Sequence, residues 1–377
     1  MKKICYVVTI GLTIRAFFIP QLKYLASHGY DVTVVCSPDE ELSDLLGSDV
    51  KYIPISIPRG ISFTGMLQAT SKLTDLFKTE KFDLVQYSTP NAGLCAAIAS
   101  KKAGIKVRNY HLMGLRYLGD KGLKQQLLRL FEKFTCTLST NIECVSKSNL
   151  KLAVRDGLFK PDKAVVVFNG STGGLDLKRF DASMREMYRT EIRNQYNLSE
   201  NDFVFGFVGR ITRDKGVNEI LNAFSKIDNC KLLMVGYTNE TDSLDQNLYT
   251  KSLNEQSIIY TGAVTDVEKY YSAIDCLLLP SYREGFGNVI IEAAAMGCPA
   301  IVSNIPGPID ASVENKTALW VEPRNTKQLL QAMIQMKSDA SKMQNQCITY
   351  VTESFDQDKL NCAILERKNN LLTFASR

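Results

Sequence analysis

Glu284 and Glu292 stand eight residues apart in the string SYREGFGNVIIEAAAMGCPAIVS, residues 281 to 303. The string follows an apolar run, DCLLLP, passes through a glycine-containing turn and opens a helix near Gly287. Glu284 falls in the loop and Glu292 two turns into the helix, so both can face one cleft from different depths. Ionised carboxylates accept hydrogen bonds from hydroxyls, which suits sugar and ribose rings. The amides of Phe286, Gly287, Asn288 and Val289 lie where a helix N-terminus offers unpaired donors to an anion. A single acid at a helix start is common for the dipole alone, but that explains little of the whole string.

A second cluster is VGRITRDKG, residues 208 to 216. Arg210 and Lys215 flank a strand-to-helix turn, where a guanidinium fork and an ammonium point charge can cradle a diphosphate. A diphosphate leaving group gains charge as its bond breaks, and fixed cations stabilise that transition state. A solvated basic loop would have the same composition. Gly11, after the opening apolar run, permits close backbone approach before a helix N-terminus. The segment reads GLTIRA, with one glycine where a dinucleotide fingerprint needs three, so a nicotinamide or flavin site is not expected. Arg15 lies one turn further on.

These residues need strands and helices to hold them. Short apolar runs rich in β-formers (KICYVVTI, DVTVVC, KYIPISI, FDLVQYS, KVRNYH, NIECV and KAVVVF) alternate with helix-like stretches such as RAFFIPQLKYLASHG and FTGMLQATSKLTDLFK. Near-continuous apolar strands separated by helices predict a parallel sheet covered on both faces. The stretch DLKRFDASMREMYRTEIRNQYNLSEND breaks the pattern, and it restarts with FVFGFVG, CKLLMVG, QSIIYTG, DCLLLP and CPAIVS. Two α/β domains are predicted, 1–180 and 181–354, with chemistry at the carboxyl ends of the strands.

The length of 377 residues favours two cores over one. Ten cysteines are scattered singly beside two histidines, which fits a reducing compartment better than a disulfide framework or a zinc site. The opening MKKICYVVTIGLTIRAFF resembles a leader, but Arg15 interrupts it and no small-residue cleavage site follows; it is read as a buried strand. No run reaches the roughly 18 apolar residues of a membrane span. Residues 1–180 carry 25 Lys and Arg against 15 Asp and Glu, and the remainder 20 against 25. The basic half is expected to meet an anion such as phosphate or a lipid surface, while nucleic-acid binding is not expected.

At residues 281 to 303 the sequence resembles the family-four retaining glycosyltransferases of the GT-B fold. Glu284 and Glu292 match that family's E-x7-E pair, and Gly209, Arg210, Lys215 and Gly216 match its G-R-…-K-G turn. The segments YHLMGLRY, VSKSNLKLAVRDG and NGSTGGLDLKRF extend the similarity to the branch that builds capsule, O-antigen and other lipid-linked glycans. The resemblance implies two Rossmann-like doubly wound domains facing a central cleft. The first would bind the acceptor and the second the nucleotide-sugar donor, with a terminal helix of about 355–377 packed back on the first. Arg210 and Lys215 would neutralise the donor diphosphate, Glu284 would bind the transferred sugar, and Glu292 the ribose. Gly285, Phe286, Gly287, Asn288 and Val289 would hold sugar and phosphate through amides, Gly209 would shape the turn, and Gly11 would approach the phosphates. Tyr237 and Val264, after their strands, occupy base-binding positions. The expected reaction is transfer with retention from a UDP-sugar to an undecaprenyl-diphosphate-linked sugar, without cofactor or metal, at the cytoplasmic face of the membrane. A sugar-nucleotide epimerase and a catalytically silent sugar-nucleotide-binding subunit remain alternatives.

Two departures stand out. Many relatives have two glycines in the first loop, where this chain has Gly11 and Thr13. Many also place a histidine immediately before Gly-Leu, where this chain has Met113, with His111 two residues upstream. In an extended segment these two positions share a face, which makes His111 a candidate for the same cleft. A lone histidine at a strand end is commonly structural. Finally, KGLKQQLLRLFEKF, residues 121 to 134, sets Leu123, Leu127, Leu130, Phe131 and Phe134 at helical spacing among lysines and an arginine. The stripe is read as core-facing, with peripheral membrane contact as the alternative.

Overall fold

The computed structural model describes residues 1–60, 62–237 and 241–376. The chain divides into an N-terminal unit, Met1–Gly174 with the segment from Gln357 onward, and a C-terminal unit, Leu175–Asp356. A helix runs over Gln357–Ser376. Arg377, part of the predicted terminal helix, lies outside the described residues.

The N-terminal unit is built on seven strands: β1 (Lys2–Val7), β2 (Tyr30–Cys36), β3 (Val50–Pro54), β4 (Leu84–Ser88), β5 (Val107–Leu112), β6 (Asn141–Cys144) and β7 (Ala164–Val165). Their order is β3-β2-β1-β4-β5-β6-β7, and all neighbours run parallel. Successive side chains of a strand point to opposite faces, and β1 shows the consequence. Ile4 and Tyr6 enter one apolar cluster with Phe18, Leu22, Leu371 and Leu372. Cys5 and Val7 enter another with Leu73, Phe77 and Ala96. The terminal helix thus covers part of one face of this sheet.

The C-terminal unit repeats the plan with β8 (Phe203–Val208), β9 (Cys230–Val235), β10 (Ile258–Gly262), β11 (Cys276–Leu279), β12 (Ala300–Ser303) and β13 (Ala318–Val321). The order is β10-β9-β8-β11-β12-β13, again parallel throughout. Both units are therefore doubly wound, with order reversing between β1 and β4 and between β8 and β11. Crevices open at the carboxyl ends of strands on either side of such a reversal. The charged segment after 175 contains the helix Arg185–Gln195. Its Arg193 is buried and bonds the Asp275 carboxylate at 2.8 Å and the Ser199 carbonyl at 2.6 Å.

Four local expectations are corrected. The run KAVVVF yields only β7, because Phe168 takes a positive φ of 54° and the chain turns away. The stretch RAFFIPQLKYLASHG forms two helices, Gly11–Phe17 and Ile19–Ser27, since Pro20 has no N–H to continue the first. Strand β13, sequence ALWV, was not anticipated. The stripe of the helix Gly122–Leu138 faces solvent: Leu123 is 84% exposed and Leu127, Leu130 and Phe134 are also open. Among the described residues no helix is long and apolar enough to cross a membrane, and no group of three or more His, Cys, Asp or Glu is placed to hold a metal ion.

The buried face of that helix carries an acid. Glu132 accepts a 2.6 Å hydrogen bond from the Tyr110 hydroxyl. Burial pushes its carboxyl up to about 7, against the opposing effect of the Tyr110 bond. A carboxyl raised in the folded state binds its proton more tightly there than in the unfolded chain. The stability it contributes is complete below its ordinary value of 4.5 and is lost as pH rises towards 7. Glu132→Gln, neutral at every pH, is expected to flatten that decline, read as urea midpoints at a series of pH values.

Candidate active site

The loops that follow the strands of the C-terminal unit are tied to one another by backbone hydrogen bonds. Gly209 N donates to Val235 O at 2.9 Å, Ile211 N to Tyr237 O at 3.0 Å, and Gly236 N to Gly262 O at 2.9 Å. Tyr282 N donates to Asp214 O at 2.9 Å, joining the loop after β11 to the loop after β8. The crossings demand glycine. A Cβ on Gly236 would fall 1.7 Å from the Gly209 carbonyl oxygen, and one on Gly216 2.2 Å from that of Pro280. Both glycines have positive φ, 146° and 76°.

On these turns the predicted side chains meet. Lys215 Nζ lies 2.6 Å from Glu284 Oε1, and both side chains are mostly buried. Arg210 and Arg283 each approach Asp214 Oδ2 at 3.6 Å, and the Thr212 hydroxyl donates to Asp214 Oδ1 at 2.6 Å. Burial would raise the Asp214 carboxyl, but the Thr212 bond and the charges of Arg210, Arg283 and Lys215 outweigh it and hold it low. The loops after β8 and β11 thus gather three cations around two carboxylates.

The string 281–303 enters the helix Asn288–Ala295, capped by Gly287 at a φ of 95°. Glu292 is the fifth residue of this helix, so it lies about one turn in rather than two. The Tyr271 hydroxyl donates to Glu292 Oε2 at 2.8 Å. Burial raises the Glu292 carboxyl, opposed by the Tyr271 bond and the Arg179 charge, and the same burial with the nearby carboxylate pushes the Tyr271 phenol well up. Gly285 and Phe286 pack against Gly307, whose missing Cβ would fall 2.9 Å from the Gly285 carbonyl oxygen. Asn288 and Val289 form the first helical positions. Tyr237 follows β9 with its side chain 62% exposed, and Val264 follows β10, partly buried. Sequence reading passed over Asp214, Tyr271 and Gly307. Asp214 carries a signal, being four residues after Arg210; Tyr271 is joined to Glu292 only through the fold.

Gly11 and His111 belong to the N-terminal unit. Gly11 opens the helix Gly11–Phe17, and a Cβ there would fall 2.1 Å from Asp39 Oδ2. Arg15 pairs with that carboxylate at 3.1 Å and also with Glu41. The glycine therefore makes room for Asp39, and an anion approaching this turn meets the Asp39–Arg15 pair as well as backbone. His111 lies in β5, almost fully buried, with Nε2 3.3 Å from the Thr172 hydroxyl oxygen.

Comparison with known proteins gives this geometry a family. Residues 188–354 match the family described as Glycosyl transferases group 1, and residues 20–170 match the Glycosyl transferase 4-like domain. The capsular polysaccharide biosynthesis glycosyltransferase CapM of Staphylococcus aureus is 31% identical over 345 residues, covering 90% of this chain and 89% of that protein. The chain belongs to the group 1 glycosyltransferases. A UDP-Gal:alpha-D-GlcNAc-diphosphoundecaprenol alpha-1,3-galactosyltransferase of Escherichia coli is 24% identical, covering 85% of this chain and 83% of that one. Among solved structures, a glycosyltransferase from Rickettsia africae has a TM-score of 0.80 at 21% identity, covering 98% of each chain. The Anabaena protein HepE, crystallised with UDP and glucose, also has 0.80, at 18% identity, covering 98% of this chain and 100% of that one. These structures establish the same two-domain GT-B fold class for this glycosyltransferase.

The glycine crossings set the loops that carry Lys215 and Glu284. Gly216→Ala is expected to cost about 2–4 kcal/mol, since it combines a strained φ with a clash against backbone. A fall in the urea midpoint at unchanged m-value checks this.

Proposed function

We propose that this glycosyltransferase moves a sugar, with retention, from a UDP-sugar to a lipid-diphosphate-linked glycan in bacterial surface-polysaccharide assembly. The observation that carries the reading is the meeting of Lys215 with Glu284 on a turn that also holds Arg210, next to the helix that bears Glu292. A donor diphosphate is doubly anionic, and Lys215 and Arg210 are cations on preorganised loops, so they favour the charge that develops on the leaving group. Glu284, now held by Lys215, would turn to the hydroxyls of the transferred sugar. Glu292 has one oxygen engaged by Tyr271 and would accept ribose hydroxyls with its remaining capacity. The amides from Gly285 to Val289 would bind sugar and phosphate, Tyr237 and Val264 would flank the base, and Gly209 would let the phosphates approach. Departure of the diphosphate would leave an oxocarbenium-like centre attacked on the same face. The fixed cations make a metal-independent reaction the natural reading.

The acceptor assignment draws support from the relatives. The Escherichia coli protein above and an alpha-1,3-N-acetylgalactosaminyltransferase of Campylobacter jejuni, 26% identical over 327 residues, both have names that specify diphospho-undecaprenol acceptors. An acceptor with such a tail sits in a membrane, and the helix Gly122–Leu138 offers a matching face. Leu123, Leu127, Leu130 and Phe134 form one exposed stripe, flanked by the exposed Lys121, Lys124 and Lys133. Apolar side chains bordered by cations suit the boundary of an anionic bilayer. On this reading the enzyme would act at the cytoplasmic face of the membrane.

Two measurements test the parts separately. UDP and one or more UDP-sugars are expected to raise the thermal midpoint of the wild type by a few degrees, and Glu292→Ala to abolish the shift. A wild type indifferent to every nucleotide would move the silent-subunit reading ahead. In co-sedimentation, the protein is expected to bind phosphatidylglycerol-containing vesicles but not pure phosphatidylcholine. A variant carrying Leu127→Ser, Leu130→Ser and Phe134→Ser is expected to stay in the supernatant while keeping its response to UDP. Equal sedimentation of variant and wild type would refute the assigned face.

A further inference from the structure

His111 has a buried charged neighbour, Glu143, whose own partner comes from the far end of the chain. In the parallel pairing of β5 with β6, His111 is in register with Glu143. Glu143 is buried, and Lys368 of the helix Gln357–Ser376 is completely so. Lys368 Nζ lies 3.0 and 2.9 Å from the two oxygens of Glu143 and donates to Gln86 Oε1 at 2.6 Å. Gln86 Oε1 also accepts from Asn109 at 2.8 Å, and Arg367 Nε stands 3.7 Å from Glu143 Oε1. Burial would raise the Glu143 carboxyl, but the Lys368 charge, with the adjoining His111, holds it far below the ordinary range.

Stability alone is a poor reason for this arrangement. Removing a carboxylate and an ammonium from water is costly, and well-packed apolar residues of similar volume often serve as well or better. What the ion pair secures, and an apolar pair cannot, is a permanent anion beside an imidazole at the carboxyl end of a central strand. His111 Nδ1 is buried without a hydrogen-bond partner and faces Glu143 Oε2 at 3.9 Å. The other ring nitrogen faces the Thr172 hydroxyl at 3.3 Å, and the Phe18 ring packs edge-on at a centroid distance of 5.6 Å. An anion on the Nδ1 side favours the proton there, as in other sites where a carboxylate fixes the orientation and tautomer of a histidine. Nε2 is then the acceptor, bonded by the Thr172 hydroxyl or by a hydroxyl that replaces it.

We infer that Glu143 is a positioning residue that fixes His111 with its proton on Nδ1 and a lone pair on Nε2. Lys368 keeps Glu143 ionised, which makes the terminal helix a working part of the N-terminal unit's ligand end. The inference deepens the candidacy of His111, and any use of it in catalysis rests on the proposed function; the tautomer itself does not depend on it.

The chain has only two histidines, so His28→Asn leaves His111 as the sole imidazole signal. His28 is exposed at the end of a helix and stacks on Tyr24. In that background, ring nitrogen shifts of 15N-histidine-labelled protein, read at alkaline pH, are expected to show Nδ1 protonated. In Glu143→Gln, Lys368 retains the amide oxygen and the amide NH2 turns to the ring, so the proton is expected to move to Nε2. Lys368→Met leaves the carboxylate buried without its cation and is expected to destabilise the fold. The double variant Glu143→Gln with Lys368→Met removes both charges and is expected to fold while losing the preference for Nδ1. A wild type protonated on Nε2, or a tautomer unmoved by Glu143→Gln, would overturn the inference and leave the cluster as packing. The UDP thermal shift, measured on the same samples, is expected to survive Glu143→Gln. Its absence in wild type would count against the donor reading and leave the tautomer result standing.

Discussion

Backbone pressed against backbone is the constraint on which the site of the C-terminal unit depends. At Gly236 and Gly216 there is no room for even a methyl group, because the Gly209 and Pro280 carbonyl oxygens occupy that space. Gly307 stands in the same relation to Gly285. Loops in such contact cannot drift independently, and the hydrogen bonds between Gly209 and Val235 and between Gly236 and Gly262 lock them to the strands. Polar side chains mounted on these turns begin in place, so on the proposed reading little reorganisation would be left for the moment when charge develops on a leaving group. The cost is that each glycine is irreplaceable for steric reasons before any chemistry is considered.

Two lysine–glutamate pairs in the protein have similar lengths and different consequences. Lys215 and Glu284 meet at 2.6 Å with 21% and 12% of their side chains exposed. Solvent reaches them, so on the proposed reading Lys215 would exchange its partner for a phosphate oxygen and Glu284 for a sugar hydroxyl at modest cost. Lys368 and Glu143 meet at 2.9 Å with 0% and 4% exposed. Nothing can replace either partner without leaving an uncompensated charge in a medium that penalises it heavily. The first pair is suited to be broken by a substrate, and the second to hold a permanent field. Exposure, more than distance, separates the two roles.

Much of the plan was legible in the amino-acid order, and what escaped did so for identifiable reasons. The alternation of apolar runs with helical stretches specified two doubly wound sheets, because strands buried on both faces must be apolar throughout. The neighbourhood of Lys215 and Glu284 was legible because both follow strands in a fold that binds at strand ends. Strand β13 escaped because its four residues, ALWV, are too few to display a period. Lys368 and Tyr271 escaped for a different reason. Each works through a partner far away in sequence, Glu143 and Glu292, and nothing local distinguishes them from a surface lysine or a core tyrosine. Gly11 was legible as a glycine position, but the carboxylate of Asp39 that requires it was not.

The helix Gly122–Leu138 shows most sharply where periodicity runs out. Its pattern states that one face is apolar and says nothing about which way that face points. Orientation is set by the opposite face, where Glu132, Thr135 and Cys136 are buried and Glu132 is bonded to Tyr110. A helix that turns an acid inward and four large apolar side chains outward inverts the usual arrangement of a surface helix. Water pays nothing back for those leucines, whereas a lipid boundary does, at a rate set by the apolar area removed from water. The lysines beside the stripe would add attraction to an anionic leaflet, which is also where the proposed lipid-diphosphate acceptor would be met. On that reading, the inverted helix and the basic half of the sequence answer one requirement: holding the catalyst against the surface where its acceptor is confined.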